Sequence, residues 1–268
     1  MTGLVRSCHW QPTLAVTAIA TSLALSVGRG TGALLVAAAV VTGQLSVGWS
    51  NDYIDRHRDV DRDDKPIATG DVSAAAVRRA ALVALIVCVP LSLASGWRAG
   101  AIHLVAVGAA WMYNLGLKAT VLSPVPYLVA FGLLPAFVTL GTVGHPLPPT
   151  WAFVGAALLG CGAHFVNTLS DLDDDLRFGI RGLPQRFGAS SSLHIGALLL
   201  DAAALTLALA PPGPPSLAAL GLLVLVMFFV VGLIVAARHG RPKAAWYMTL
   251  ATALLAVTLL LANGSALV

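Results

Sequence analysis

Six residues of this chain have the types and spacing to gather oxygen ligands around a cation: Asn51, Asp55 and Asp59 stand at i, i+4 and i+8, and Asn167, Asp171 and Asp175 repeat the interval. A step of four residues drifts by about 40° around a helix, so if the helix before each triplet continues through it, the three side chains share one face. Each strip would then offer carboxylate and amide oxygens only. Two strips facing one another across a cavity could hold about two or three Mg²⁺ ions with positions left for phosphate oxygens, because Mg²⁺ favours octahedral oxygen coordination by a few carboxylates plus phosphate. No His/Cys spacing offers a competing zinc site.

The distribution of acids sharpens the signal. The chain has no glutamate, and eleven of its twelve aspartates fall in two stretches, seven between Asp52 and Asp71 and four between Asp171 and Asp175. Asp201 stands apart, as a packing residue or a cavity residue. Charge runs are usually solvated loop, but two copies with one N-x3-D-x3-D spacing, each leaving an apolar segment, argue for a site. Acids beside a membrane core are costly unless paired or bound to a cation.

The elements that must position these strips are membrane helices. Hydrophobic residues make up 57% of the 268 positions and charged residues 10%, against about 25% charged in soluble domains. Apolar runs near spanning length recur at Pro12 to Gly28, Ala33 to Ser50, Ala80 to Ser95, Ala101 to Leu117, Val121 to Thr142, Trp151 to Asn167, Leu193 to Ala210, Ser216 to Ala236 and Ala245 to Ala262. The expectation is an all-α polytopic bundle of about nine transmembrane helices, forming one domain over residues 1–268. Short turns with Gly or Pro join most runs as antiparallel hairpins, whereas Asn51 to Val72 and Thr168 to Ser192 are long and polar.

Lys and Arg sort unevenly between alternate connections. One side takes Arg6, Arg56, Arg58, Arg62, Lys65, Arg78, Arg79, Lys118, Arg177, Arg181, Arg186, Arg238, Arg241 and Lys243, and the other only Arg29 and Arg98. By the positive-inside rule the N-terminus and both polar loops face the cytoplasm and the C-terminus is external. The net charge of +4 thus reads as topology, with no call for a nucleic-acid partner. Cleavage of the first run as a signal peptide is disfavoured, because no small-residue site follows it. Cys8, Cys88 and Cys161 are too scattered for a redox or metal pair.

Each polar stretch also runs on to basic residues, then a glycine (Gly70, Gly188), then serines able to cap the next helix (Ser73; Ser190 to Ser192), a weak internal repeat that implies pseudo-twofold halves. At this point the chain resembles the UbiA superfamily of intramembrane prenyltransferases. The first motif of that family, N-D-x-x-D-x-x-x-D, stands as Asn51-Asp52-Tyr53-Ile54-Asp55-Arg56-His57-Arg58-Asp59, followed by Arg62, Lys65-Pro66 and Gly70. The second, D-x-x-x-D followed by a basic residue and glycine, is similar to Asp171 through Arg181, with Phe187-Gly188 beyond it. The family's Y-x-x-x-K element is matched one residue longer, as Tyr113 to Lys118.

The resemblance implies that Asn51, Asp55, Asp59, Asp171 and Asp175 hold Mg²⁺ and a diphosphate, with Asp55, Asp59, Asp171 and Asp175 carrying the catalysis and Asp52 supporting the first cluster. Arg62, Lys65, Arg177 and Arg181 are the candidates for phosphate contact, and Tyr113, Lys118 and Asn167 for substrate binding. The reaction implied is ionisation of an isoprenyl diphosphate and transfer of the prenyl group to an acceptor, aromatic or lipid, in contact with membrane lipid. The alternative is a UbiA-type terpene cyclase, in which a double bond of the same chain captures the cation.

An allylic cation reacts with water and needs a dry, aromatic-lined site. Trp49, Trp111, Tyr113, Tyr127 and Phe131 are candidates, with helix packing as the competing role. Gln44, seven residues before Asn51, either meets an acceptor or joins two helices. His9 and His164 either orient an acceptor or are structural. A phosphatidyl-alcohol transferase would carry D-G-x-x-A-R, absent here. A transporter would place its acids at mid-membrane rather than at helix ends.

Overall fold

The computed structural model describes residues 3–60 and 62–268, and of Pro242, Lys243 and Trp246 the backbone alone, so Asp61 and the Lys243 side chain lie outside the described residues. Among the described residues every regular element is helical. After a single turn, α1 (Gly3–Arg6), come α2 (Trp10–Ser26), α3 (Gly32–Asp55), α4 (Ala74–Leu93) and α5 (Trp97–Asn114). Then follow α6 (Val125–Gly132), α7 (Leu134–Thr139), α8 (Thr150–Asn167) and a short α9 (Leu172–Arg177). The chain closes with α10 (Leu183–Leu209), α11 (Leu217–Arg238) and α12 (Pro242–Ala262). Each apolar run falls on one or two of these helices, and α3, α4, α8, α10 and α11 are individually long and apolar enough to cross a bilayer. The molecule is an all-helical integral membrane protein.

Three elements differ from expectation, each for a local reason. The run Val121 to Thr142 is divided into α6 and α7, because Pro135 lacks an N–H and its ring collides with the preceding turn. The run from Leu193 starts ten residues earlier as α10, bent at Gly188, whose φ of 76° and ψ of 169° are not helical. Ser73 does cap α4, accepting from the Ala76 N–H at 3.2 Å, but Ser190 to Ser192 lie inside α10 rather than before it. Ser192 there donates to the Pro184 carbonyl at 2.8 Å, across the bend.

Helix contacts close into a ring in the order α2, α3, α5, α6, α8, α12 and back to α2. The helices that lead into the two motifs, α3 and α8, are opposite members of that ring. Outside it, α4 covers α3 much as α10 covers α8, so each half repeats one scheme: motif helix, polar connection, outer helix returning along it. Between apolar helices in lipid, association depends on close packing. Gly155, Gly160 and Gly162 on α8 provide it by letting Leu207, Phe131 and Leu200 rest against the helix backbone.

Candidate active site

The first triplet is held at the end of α3 by α5. The Asn114 side chain donates to the Val47 carbonyl at 3.0 Å and to Ser50 Oγ at 2.8 Å, while its Oδ1 accepts from Asn51 Nδ2 at 3.2 Å. Asn51 Nδ2 also donates to Asp55 Oδ2 at 3.1 Å. The helix ends at Asp55, so Asp59 is not on a continued regular helix. One further turn, closed by the Asp59 N–H to the Asp55 carbonyl at 3.0 Å, keeps it beside Asp55 all the same.

The second triplet departs further from a continuous strip. Helix α8 stops at Asn167, because Thr168 and Ser170 turn their hydroxyls back onto the carbonyls of residues 164, 165 and 167 and compete with the backbone ladder. Asp171 then precedes α9, and Asp175 lies within it, its N–H bonded to the Asp171 carbonyl at 2.8 Å. Asn167 and Asp171 are exposed, Asp175 half-buried.

The two motifs meet on one guanidinium. Arg58 lies 3.0 Å from Asp55, 3.3 Å from Asp59 and 3.3 Å from Asp175. Burial opposes its charge, but Asp55, Asp59 and Asp175 outweigh that and hold its pKa above the ordinary value. Lys65 lies 2.9 Å from Asp52 and 3.5 Å from Asp59, and Lys118 pairs with the other oxygen of Asp55. Asp175 Oδ2 accepts from Gln185 Nε2 at 2.8 Å. Burial nevertheless raises the Asp175 pKa, with Arg58 as the main opposing influence.

Lys118 reaches Asp55 despite the extra residue in its motif. Gly116, at a φ of 145° that side chains disfavour, turns the chain out of α5 into a short 3₁₀ turn at Leu117–Ala119. That turn is pressed by Gly182, where a Cβ would stand 2.5 Å from the Lys118 carbonyl oxygen and 2.7 Å from Gln185 Oε1.

Next to the charges stands an aromatic group. Tyr113 meets Tyr127 edge-on at 5.3 Å and His164 at 5.7 Å, and Tyr127 stacks on Phe131 at 6.3 Å. His164 is buried, with Nε2 3.1 Å from Ser123 Oγ, a tie between α8 and the start of α6. Trp49 and Trp111 have packing roles, donating to the Leu4 carbonyl and to Ser46 Oγ at 2.8 and 3.1 Å. Below Asn51 a mainly apolar cavity opens between α2, α3, α5 and α6–α7. Gln44, Val47, His103, Phe131 and Phe137 are in its wall, so Gln44 faces the cavity.

The structure therefore brings together Asn51, Asp52, Asp55, Asp59, Lys65, Lys118 and Asp175, with Tyr113 beside them. The remaining sequence candidates stand at the margin. Arg62 makes two bonds to Asp64, at 2.9 and 2.8 Å, with Asp171 and Asp59 within electrostatic reach. Arg177 is exposed and 3.4 Å from Asp174. Arg181 is exposed, and its carbonyl accepts from Arg186 Nε at 2.8 Å. His9 lies 4.0 Å from Asp52, and Asp201 on α10 keeps one buried carboxylate oxygen without a hydrogen bond.

Arg58, Asn114 and Gln185 were missed as site residues. Arg58 carried a signal, standing inside the first motif; Asn114 and Gln185 are polar residues that only the packing brings to the acids.

Among the described residues no three acidic, His or Cys side chains form a ready-made metal cage. The donor set nevertheless fits a hard divalent cation. It is all oxygen, its carboxylates already converge on positive charge, and Asp52 Oδ2 and Asp59 Oδ2 are buried without a hydrogen bond.

Comparison with known proteins agrees with this architecture. The chain is 30% identical over 185 residues, 67% of its length, to a digeranylgeranylglyceryl phosphate synthase of Methanopyrus kandleri. It is 27% identical over 175 residues, 59% of its length, to a 4-hydroxybenzoate octaprenyltransferase of Pectobacterium carotovorum. These alignments span 64% and 57% of the two relatives, less than two thirds of either. A UbiA homolog from Aeropyrum pernix superposes with a TM-score of 0.74 at 19% identity, covering 94% of this chain and 98% of that one. Another from Archaeoglobus fulgidus, bound to GPP and Mg²⁺, does so with a TM-score of 0.68 at 16% identity over 96% and 99%. Residues 10–253 match the UbiA prenyltransferase family, and with two Asp motifs meeting inside a ring of membrane helices, the chain belongs to that family.

Proposed function

We propose that this protein is a Mg²⁺-dependent intramembrane prenyltransferase, one domain over residues 1–268, which ionises an isoprenyl diphosphate and passes the prenyl group to an acceptor, aromatic or lipid. The observation that carries the reading is the convergence of Asp55, Asp59 and Asp175 on Arg58. The Archaeoglobus homologs bound to DMAPP or GPP with Mg²⁺ support the substrate class and the metal. The synthase and octaprenyltransferase relatives support transfer to an acceptor.

In this reading Asn51, Asp55, Asp59, Asp171 and Asp175 hold Mg²⁺ and Asp52 anchors Lys65. When bound, Mg²⁺ neutralises charge on the diphosphate as it leaves. Arg58 and Lys118, which meet Asp55, Asp59 and Asp175, and Lys65, held by Asp52, stand where they would stabilise the charge that develops on the phosphate oxygens. Arg62 stands at the entrance as a further phosphate contact, and Arg177, Arg181 and Asn167 reach the diphosphate only if the connection around α9 moves inward. Tyr113, Tyr127 and Phe131 give the allylic cation an aromatic wall and exclude water. The apolar cavity beside Gln44, of ≈ 50 Å³, is where a path for hydrocarbon would begin, and the surrounding helices must part to admit a prenyl chain. The excess of Lys and Arg at the motif end supports a cytoplasmic active site.

The test is turnover of geranyl, farnesyl and geranylgeranyl diphosphate by purified protein with Mg²⁺, with and without a panel of aromatic and lipid acceptors. Asp55→Ala and Asp171→Ala serve as controls. Acceptor-dependent prenyl product, lost in both variants, is the expected result. A hydrocarbon product formed without acceptor would instead identify a cyclase. No turnover at any chain length would overturn the enzyme reading.

A further inference from the structure

A second cavity, of ≈ 360 Å³, opens at the motif end of the bundle between the ends of α8 and α11 and the starts of α10 and α12. Its rim is polar and exposed, with Ser170, Ser190, His194, Arg238 and Arg241, whereas Leu193 and Ala245 in its wall are buried. It lies behind the second motif, since Ser170 precedes Asp171.

The rim is built around one arginine. His194 Nδ1 lies 2.7 Å from the Ser190 carbonyl, which only an N–H can satisfy, so Nε2 is left to accept from Arg238 NH2 at 2.8 Å. A neutral His194 thus holds the guanidinium over the cavity without neutralising it. The turn between α11 and α12 sets Arg241 on the same rim, its N–H closing onto the Ala236 carbonyl at 2.9 Å. Among the described residues neither arginine has an acidic partner in an ion pair, unlike Arg58, Arg62 and Arg177. Topology needs positive charge in this connection, but it does not need an arginine positioned by a histidine above a hollow.

We propose that this cavity binds the phosphate head of an anionic lipid. The phosphate sits on Arg238 and Arg241 with the rim serines in reach, and the start of the acyl chain runs along Leu193 and Ala245. Guanidinium forks match phosphate oxygens. The apolar wall, at the end of four apolar helices, favours a lipid over a free ion. This site is separate from the Asp motifs and does not depend on the prenyl chemistry.

The experiment is binding of short-chain phosphatidic acid to the full-length protein in neutral detergent with EDTA, so that no metal draws phosphate to the Asp motifs. The wild type is expected to bind saturably. Arg238→Gln/Arg241→Gln should weaken binding at least tenfold with an unchanged melting temperature. Ser190→Trp, which keeps both charges and fills the rim, should weaken it as well. If the double variant fails to fold, the Ser190→Trp result decides. Equal binding of phosphatidylcholine would overturn the charge assignment, and equal, Arg-dependent binding of inorganic phosphate would overturn the lipid assignment. Undiminished binding by folded variants would overturn the site.

Discussion

Arg58 and Asp175 lie 3.3 Å apart although 117 positions separate them, and that contact joins the two acidic motifs. The guanidinium is a charge that keeps the carboxylates of both halves together. Arg58→Met should therefore lower stability in EDTA by roughly 1–3 kcal/mol and much less with saturating Mg²⁺, which replaces the lost charge. Thermal unfolding of both proteins with and without Mg²⁺ reads this directly. An equal loss under both conditions would show that Arg58 has only a packing role.

Asp174 and Asp175 are adjacent, yet their surroundings differ. Asp175 faces Arg58 and Gln185, whereas Asp174 is exposed and paired with Arg177. Asp175→Asn should reduce turnover by about 100-fold or more, as expected when a group aimed at developing charge is removed. Asp174→Asn should stay within about threefold, because exposed pairs contribute little. Steady-state rates of the two variants, measured side by side, distinguish the roles.

Gly182 is in contact with the segment that carries Lys118. A methyl group there crowds the Lys118 carbonyl, Gln185 Oε1 and Ser123 Oγ together, and so shifts the two residues whose Nζ and Nε2 meet Asp55 and Asp175. We expect Gly182→Ala to fold and to lose about tenfold or more in kcat, consistent with an overpacking strain of roughly 1–3 kcal/mol. Gly108→Ala is the control, since nothing lies within 4 Å of its would-be Cβ. Circular dichroism and turnover on both variants test the prediction.

Asn114 bonds α5 to α3 at three points. Interhelical hydrogen bonds in membranes average about 0.6 kcal/mol each, so Asn114→Ala, which removes three, should cost roughly 2 kcal/mol. Because Asn51 loses a partner, Mg²⁺ affinity should fall as well. Denaturant unfolding and a Mg²⁺ titration of turnover measure the two effects.

Much of this architecture is legible in the sequence because apolar runs and isolated acids are strong signals in a membrane chain. The runs identify the helices, and the repeated Asn/Asp interval identifies where two of them end. That α3 stops at Asp55 and α8 at Asn167, short of the ends of the triplets, was not legible. At α8 the stop depends on where Thr168 and Ser170 turn their hydroxyls, a local competition that spacing cannot express. The divided run at Pro135 carried its own warning in the proline. Two partners of the acids were hidden for another reason: Asn114 reaches Asn51 only through the packing of α5 on α3, and Gln185 reaches Asp175 only because α10 begins ten residues ahead of its apolar run, and neither contact leaves a periodic trace.

The order in which the cluster's members are synthesised has a consequence for biogenesis. Arg58, Lys65 and Lys118 all precede the second motif in the chain, as do Asp52, Asp55 and Asp59, the acids they meet. A ribosome delivers this set to the insertion machinery before Asp175 exists. The first four long helices can thus enter the bilayer with their acids already compensated, which spares the nascent half an unpaired charge at the membrane edge. Only the third contact of Arg58 waits for the second half, so its formation marks the moment when the two halves lock.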